Sequence, residues 1–96
     1  MTSKQRAYLK SLASNINAIF QVGKSGKSEN LIKQLDDALE ARELIKITVL
    51  ETAPDSVKTL GNELALKTNS ILVQTIGNKI ILYRPKTKNP KIQLPK

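Results

Sequence analysis

The spacing of the apolar residues changes repeatedly along this chain of 96 residues, and these changes restrict the fold more than any other feature. Alternating apolar and polar residues are typical of strands, whereas apolar residues three or four positions apart are typical of helices. Both patterns occur in turn, and together they predict the element order α-β-α-β-α-β-β. The predicted strands are 16–22, 44–50, 71–76 and 79–83.

Each predicted helix has a recognisable start or a recognisable apolar face. Thr2 followed by Gln5 has the spacing of a capping box, which indicates a first helix running to about residue 13. Ser28 can cap a second helix. A third helix is predicted to start within 52–55, and Gly61 lies on its apolar stripe, where the helix would approach a sheet closely. The first helix is predicted to bury Tyr8, Leu9 and Leu12.

The connections between the predicted strands define a topology. Helical crossovers join the first three strands, which predicts that these strands are parallel. Gly77-Asn78 is a hairpin signal, so the last strand should be antiparallel to the third. Right-handed crossovers running in one direction place the second and third helices on the same face of the sheet. We therefore expect an α/β two-layer sandwich with a four-stranded mixed sheet in the order 1-2-4-3.

Charge is segregated along the sequence, which has a formal net charge of +8. Residues 1–28 carry five basic groups and no acid, and residues 64–96 carry seven basic groups and no acid, whereas 29–63 carry four basic and eight acidic groups. A fold that brings the two ends together would have a strongly positive face, which attracts polyanions. Most of the basic residues are lysines, which act as point charges and favour recognition of the phosphate backbone over recognition of base edges.

Two further segments have a pattern of charged residues or prolines that allows an interpretation. Four acids fall away from the apolar stripe of the second helix, and we interpret them as a solvated acidic face; they are Asp36, Asp37, Glu40 and Glu43. The stretch 85–96 is rich in proline and lysine, which predicts a basic tail that is mobile in isolation. Residues 1–84 are expected to form a single domain.

A glycine loop lies between the first predicted strand and the second predicted helix. Its sequence is Gly23-Lys24-Ser25-Gly26-Lys27, followed by the candidate helix cap Ser28. Glycines allow a close backbone approach, and a helix start offers unpaired N–H groups, so a phosphate is the natural ligand. Many strand-to-helix turns also need two glycines, so the pattern alone is weak. A Walker A motif is excluded because neither register has its first glycine.

Absent residue types limit the possible chemistry. The chain has no cysteine and no histidine, which removes disulfides, thiol nucleophiles, the commonest metal ligand and the usual general base. We expect neither an enzyme nor a cofactor or metal site. No apolar run exceeds four residues, so we expect no membrane partner and no signal peptide, and a cytoplasmic location.

Four motifs, in order along the chain, resemble the CRM domain (chloroplast RNA splicing and ribosome maturation) in its stand-alone, YhbY-like bacterial form. The resemblance implies a fold like that of the C-terminal domain of translation initiation factor three. The loop departs from the family at Lys27, where an apolar residue is usual. The motifs are Lys4-Gln5-Arg6 with Tyr8-Leu9, Val22-Gly23-Lys24 with Gly26, Ala38-Leu39-Glu40 with Glu43-Leu44-Ile45-Lys46-Ile47, and Leu72-Val73-Gln74 with Ile76-Gly77 and Leu82-Tyr83-Arg84-Pro85.

The resemblance also implies a function: binding of rRNA in precursors of the large ribosomal subunit and a role in ribosome assembly. We expect a monomer that has no small-molecule substrate. Two alternatives stay open, namely a small DNA-compacting protein and a module that docks on an acidic protein. The predicted RNA-binding residues are Gly23, Lys24, Ser25, Gly26 and Lys27 of the loop, Lys4, Arg6 and Lys10 of the first helix, and Arg84, Lys86 and Lys88 beyond the last strand.

Overall fold

A computed structural model describes all residues from 1 to 96, and its element order agrees with the predicted one. None of its helices is both long and apolar enough to cross a membrane. The helices are α1 (Ser3–Ala13), α2 (Glu29–Arg42) and α3 (Val57–Lys67), and the strands are β1 (Phe20–Val22), β2 (Leu44–Val49), β3 (Ile71–Ile76) and β4 (Lys79–Tyr83).

The four strands form one mixed sheet in the order β1-β2-β4-β3, which confirms the predicted topology. β1 is parallel to β2, and β4 is antiparallel to both β2 and β3. The hairpin between β3 and β4 turns at Gly77, whose φ of 56° lies in the left-handed region that favours glycine. β4 is thus an interior strand, although it is the last one in the sequence.

The main core lies between the sheet and the helices α2 and α3, which pack on the same face as predicted. Side chains alternate between the two faces of a strand, so Ile80 and Leu82 of β4 point into this core. Gly61 of α3 is buried, and a Cβ atom there would lie 3.1 Å from Leu72 Cδ1 of β3. This distance confirms the predicted close approach of helix and sheet.

The opposite face of the sheet is also covered in part. Leu9 and Ala13 of α1 form a second cluster with Ile81 and Tyr83 of β4, against which the C-terminal residues Ile92 and Leu94 also pack. The two predicted layers are present, and α1 together with the C-terminal stretch adds a partial third layer. Because both faces of the sheet are covered at β4, the sequence of this strand is a continuous apolar run and does not alternate between apolar and polar residues.

Three local predictions differ from the structure. Strand β1 begins only at Phe20, since the chain must first turn away from the end of α1 through the 14–16 segment. Helix α3 begins later than predicted, because Ser56 rather than a residue of 52–55 caps it by accepting a hydrogen bond from the Thr59 N–H. Tyr8 is 40% exposed, so α1 buries Leu9 but not the tyrosine.

Candidate nucleic-acid interface

The glycine loop closes as a tight turn between β1 and α2. The Gly26 N–H donates to the Gly23 carbonyl at 2.9 Å, and the Ser28 N–H donates to the Gly26 carbonyl at 3.1 Å. Gly26 has a φ of 61°, which L-residues with a side chain rarely adopt. Ser28 then caps α2 by accepting a hydrogen bond from the Leu31 N–H, as the sequence predicted.

The two glycines of this loop have different surroundings. A Cβ atom on Gly26 would lie 3.0 Å from Pro54 Cγ, so the buried Gly26 packs against the segment that follows β2. A Cβ atom on Gly23 would make only ordinary contacts of 3.4 Å with Leu50 and Thr52. Gly26 is therefore required by both conformation and space, whereas Gly23 is not.

Several backbone N–H groups of this region have no partner within the protein. In the turn these are the N–H groups of Gly23, Lys24, Ser25 and Lys27, and at the start of α2 those of Glu29 and Asn30. Free N–H groups at a helix start, together with the positive end of the helix dipole, favour an anionic ligand such as phosphate. The loop therefore has the geometry of a phosphate site.

The two lysines of the loop differ in their contacts. Lys24 is exposed and forms no ion pair. Lys27 forms a hydrogen-bonded ion pair with Glu63 of α3, and this contact raises the pKa of the lysine. The charge of Lys27 is thus balanced by an acid within the same chain. Lys24 is the free cation of the loop.

The cations of α1 lie on the other face of the sheet. Lys4 and Lys10 are exposed and unpaired. Arg6 instead donates from Nη1 to the carbonyl oxygens of Leu72 at 2.8 Å and Val73 at 2.6 Å. These bonds fasten α1 to the edge strand β3, so the arginine is occupied by a structural contact.

Arg84, immediately after β4, is also engaged within the protein. Its Nη1 donates to Asp36 Oδ1 at 2.5 Å and to the Thr68 carbonyl at 2.7 Å, and its Nη2 donates to the Asp36 carbonyl at 3.0 Å. Only 18% of its side chain is exposed. The guanidinium thus joins the end of β4 to α2 and to the end of α3.

The C-terminal stretch makes defined contacts with the domain, whereas the sequence predicted a mobile tail. Its anchor is Glu43, which is only 1% exposed. One carboxylate oxygen accepts the N–H groups of Lys91 at 2.8 Å and Ile92 at 3.0 Å, and the other accepts that of Lys86 at 3.1 Å. Glu40 accepts two further bonds from Thr87.

The prediction of a solvated acidic face was therefore wrong for Glu43, because this residue is buried. Its backbone lies in the left-handed region with a φ of 69°. Burial acts to raise its pKa, but the three backbone N–H groups and the charge of Lys86 outweigh burial and lower the pKa. Two features of the sequence are consistent with this role. An acid at a helix C-terminus opposes the helix dipole, and Ile92 and Leu94 alternate with polar residues.

The predicted site residues thus fall into three separate groups. The glycine loop follows β1 beside the end of β2, because Val22 pairs with Val49. Arg84 and the exposed Lys88 follow β4 at the opposite end of β2, because Tyr83 pairs with Leu44. The five steps from the first to the last residue of β2 cover roughly 17 Å at about 3.3 Å each. The cations of α1 form the third group.

Comparisons with known proteins agree with this architecture. Residues 1–84 match the model of the CRS1 / YhbY (CRM) domain, and the chain belongs to this family. It is 46% identical to the "Probable RNA-binding protein YqeI" of Bacillus subtilis (strain 168) over 99% of each chain. It is 34% identical to an "RNA-binding protein" of Haemophilus influenzae over 100% of this chain and 96% of that protein.

A solved structure has the same fold. The solution structure of the hypothetical protein SAV1595 from Staphylococcus aureus matches with a TM-score of 0.83 and 53% identity, covering 99% of both chains. The names of the two relatives from Bacillus subtilis and Haemophilus influenzae describe RNA-binding proteins and not enzymes.

Proposed function

We propose that this protein binds structured RNA through phosphate contacts, with the glycine loop as the principal contact. The observation that carries the proposal is the set of free backbone N–H groups in the loop, beside the unpaired Lys24. Family membership and the names of two relatives support RNA as the polyanion.

The separation of the three cation groups bears on the kind of RNA. The two ends of β2 lie roughly 17 Å apart, so a single phosphate cannot contact both groups, whereas an RNA of several nucleotides can. Lys4 and Lys10 of α1, and Lys86 and Lys88 of the C-terminal stretch, would then add phosphate contacts in the two groups that lie away from the loop. Arg6, Lys27 and Arg84 would contribute less, because their charged groups already have protein partners.

The finer proposal is that the RNA is rRNA in precursors of the large ribosomal subunit, that the protein assists their assembly, and that it does so in the cytoplasm. Sequence-neutral phosphate contacts suit an assembly factor, which must hold RNA while its structure changes. The proposal is supported by the motifs shared with the CRM domain.

Binding measurements with a matched pair of variants test the loop. Lys24→Glu should weaken binding to a folded rRNA fragment about tenfold, because a phosphate contact becomes a repulsion. Lys33→Glu makes the same charge change at an exposed, unpaired lysine of α2 and should have little effect. Equal losses in both variants would show that only net charge matters, and the assignment of the loop would be wrong.

Sedimentation of cell extract tests the ribosomal role. The protein should migrate with precursors of the large subunit at low salt and leave them as salt rises, since phosphate contacts release counterions. Migration as a free pool at every salt concentration would contradict the role in assembly. Equal affinity for duplex DNA and folded RNA at the same salt would favour the alternative of DNA compaction.

A further inference from the structure

An open groove of about 610 Å³ lies beside α1, away from the glycine loop. Its walls are the end of α1, the connection from α1 to β1, the start of β2 and Ile92 of the C-terminal stretch. The volume is within the range of about 300–1,000 Å³ that is usual for small-molecule sites. The function proposed above makes no use of this groove.

The cations of the groove are free. Arg42 is the last residue of α2 and Lys46 lies on β2, and neither forms an ion pair or a side-chain hydrogen bond within the protein. The other two arginines of the chain, Arg6 and Arg84, are both held by protein oxygens. No acidic residue lines the groove. Its charge is therefore complementary to an anion.

The remaining lining is apolar, with two amides. Ile19 is 44% exposed here, and Ile16 and Ile92 are half-buried beside it. Asn15 and Asn17 are exposed, and their side chains make no hydrogen bond within the protein. Apolar side chains can cover the face of a nucleobase, and a carboxamide can both donate to and accept from a base edge.

The wall formed by Ile92 depends on the buried anchor. The Ile92 N–H donates to Glu43 Oε1, and Glu43 immediately precedes β2. The anchor thus holds the C-terminal stretch against the same sheet face as the groove. This gives the contact between Glu43 and the C-terminal stretch a role in shaping a binding surface.

We propose that this groove binds one unpaired nucleotide of the RNA, with the base against the isoleucines, its edge on Asn15 or Asn17, and a phosphate on Arg42 and Lys46. The inference rests on the proposed RNA binding and adds a second, chemically different contact. The glycine loop binds only phosphates, whereas the groove binds a nucleotide whose base is unpaired. Folded RNA with a bulge or loop is then the preferred ligand class.

NMR titration of the ¹⁵N-labelled protein with single-stranded hexanucleotides of A, U, C or G tests the site. The amide signals of Asn15, Asn17, Lys46 and Ile92 should shift, while those of the glycine loop should shift less. Asn17→Asp, which changes charge without changing size, should weaken hexanucleotide binding at least fivefold. Gln34→Glu is the matched control, because Gln34 is exposed on α2 and lines neither site.

The outcomes separate this inference from the function on which it rests. Lys24→Glu should weaken binding of folded RNA and leave hexanucleotide binding at the groove within twofold. Shifts confined to the glycine loop, or equal effects of the two amide-to-acid variants, would overturn the groove and leave the loop in place. Absence of binding to every RNA would overturn both proposals. Concentration-dependent shifts of the groove signals without RNA would assign the groove to a second copy of the chain.

Discussion

The two ends of β2 present polar groups in opposite ways. At the end beside the glycine loop, backbone N–H groups and Lys24 have no protein partner. At the other end, the carboxylate of Glu43 accepts three backbone N–H groups, and Arg84 donates to Asp36 and Thr68. The loop groups at the first end are free to bind a ligand, whereas the side chains of Glu43 and Arg84 at the second end are satisfied by the protein itself.

The difference shows why charge alone is a poor guide to a binding site. Both regions contain basic residues, but a cation that already has an acid or carbonyl partner must lose that contact before it can bind phosphate. A free cation loses only its water. The useful criterion is therefore the number of unsatisfied donors and not the number of positive charges.

The largest expected effect is the loss of stability when the buried contacts of Glu43 are disrupted. Glu43→Gln leaves at least one of the three backbone donors without a suitable acceptor in a buried place, and should lower the free energy of unfolding by about 3 kcal/mol. Urea unfolding measures the loss, and hydrogen exchange at Lys86, Lys91 and Ile92 should show that these amides become unprotected.

Glu40→Gln is the matched control for this substitution. Glu40 is exposed, and its carboxylate forms polar contacts only with Thr87 and Arg84, so its replacement should have a clearly smaller effect on stability. If both variants lost the same stability, the burial of Glu43 would not be what anchors the C-terminal stretch.

Lowering the pH should destabilise the unsubstituted protein for part of the same reason, because Glu43 becomes protonated. The pKa of Glu43 is lower in the folded than in the unfolded chain, so its stabilising contribution is complete above the unfolded pKa and is lost as pH falls through the folded value. The free energy of unfolding should therefore fall below about pH 4.3, the ordinary value for glutamate. The Glu43→Gln variant should lack that component, and an identical pH profile would refute this account.

The next largest effect is expected at the two glycines of the loop, whose replacement by alanine should change stability to different extents. Gly26→Ala should cost about 1–2 kcal/mol, because alanine disfavours the positive φ and its Cβ would press against Pro54. Gly23→Ala should change stability by less than about 0.5 kcal/mol, since its Cβ has ordinary contacts. Thermal unfolding of both variants measures the difference, and a larger loss at Gly23 would contradict the described turn.

The smallest expected effect is a change in RNA affinity when Lys27 is released from its ion pair. Glu63→Gln releases Lys27 from its ion pair and should strengthen binding of folded RNA about twofold, consistent with the weak free energy of exposed pairs. Fluorescence anisotropy at low salt provides the measurement. Lys27→Ala should remove this gain, and a gain that persists in the double variant would arise from net charge alone.

Much of the fold was predictable because its signals are local. The capping box of Thr2 and Gln5, the cap at Ser28 and the hairpin at Gly77 each involve residues that are close in sequence. The period of the apolar residues predicted β3 and β4 with their observed bounds. The position of the glycine loop was predictable because the sequence patterns on either side of it indicate a strand before the loop and a helix after it.

The partners of the charged residues were not predictable in this way. Lys27 and Glu63, or Arg84 and Asp36, meet only after the helices have packed on the sheet. Nothing in the spacing of Lys24 and Lys27 indicates that one is free and the other paired. The same holds for the groove, whose walls come from three segments that are distant in sequence.

The sequence by itself determined the order of the elements, the sheet topology and the position of the glycine loop, because these depend on short-range conformational preferences and on the handedness of crossovers. Tertiary structure alone decided which polar groups are satisfied. Glu43 has the spacing of a solvated acid, but Ile92, 49 residues further along, reaches its carboxylate. Burial then makes that carboxylate an anchor, since a buried charge must be paired with donors.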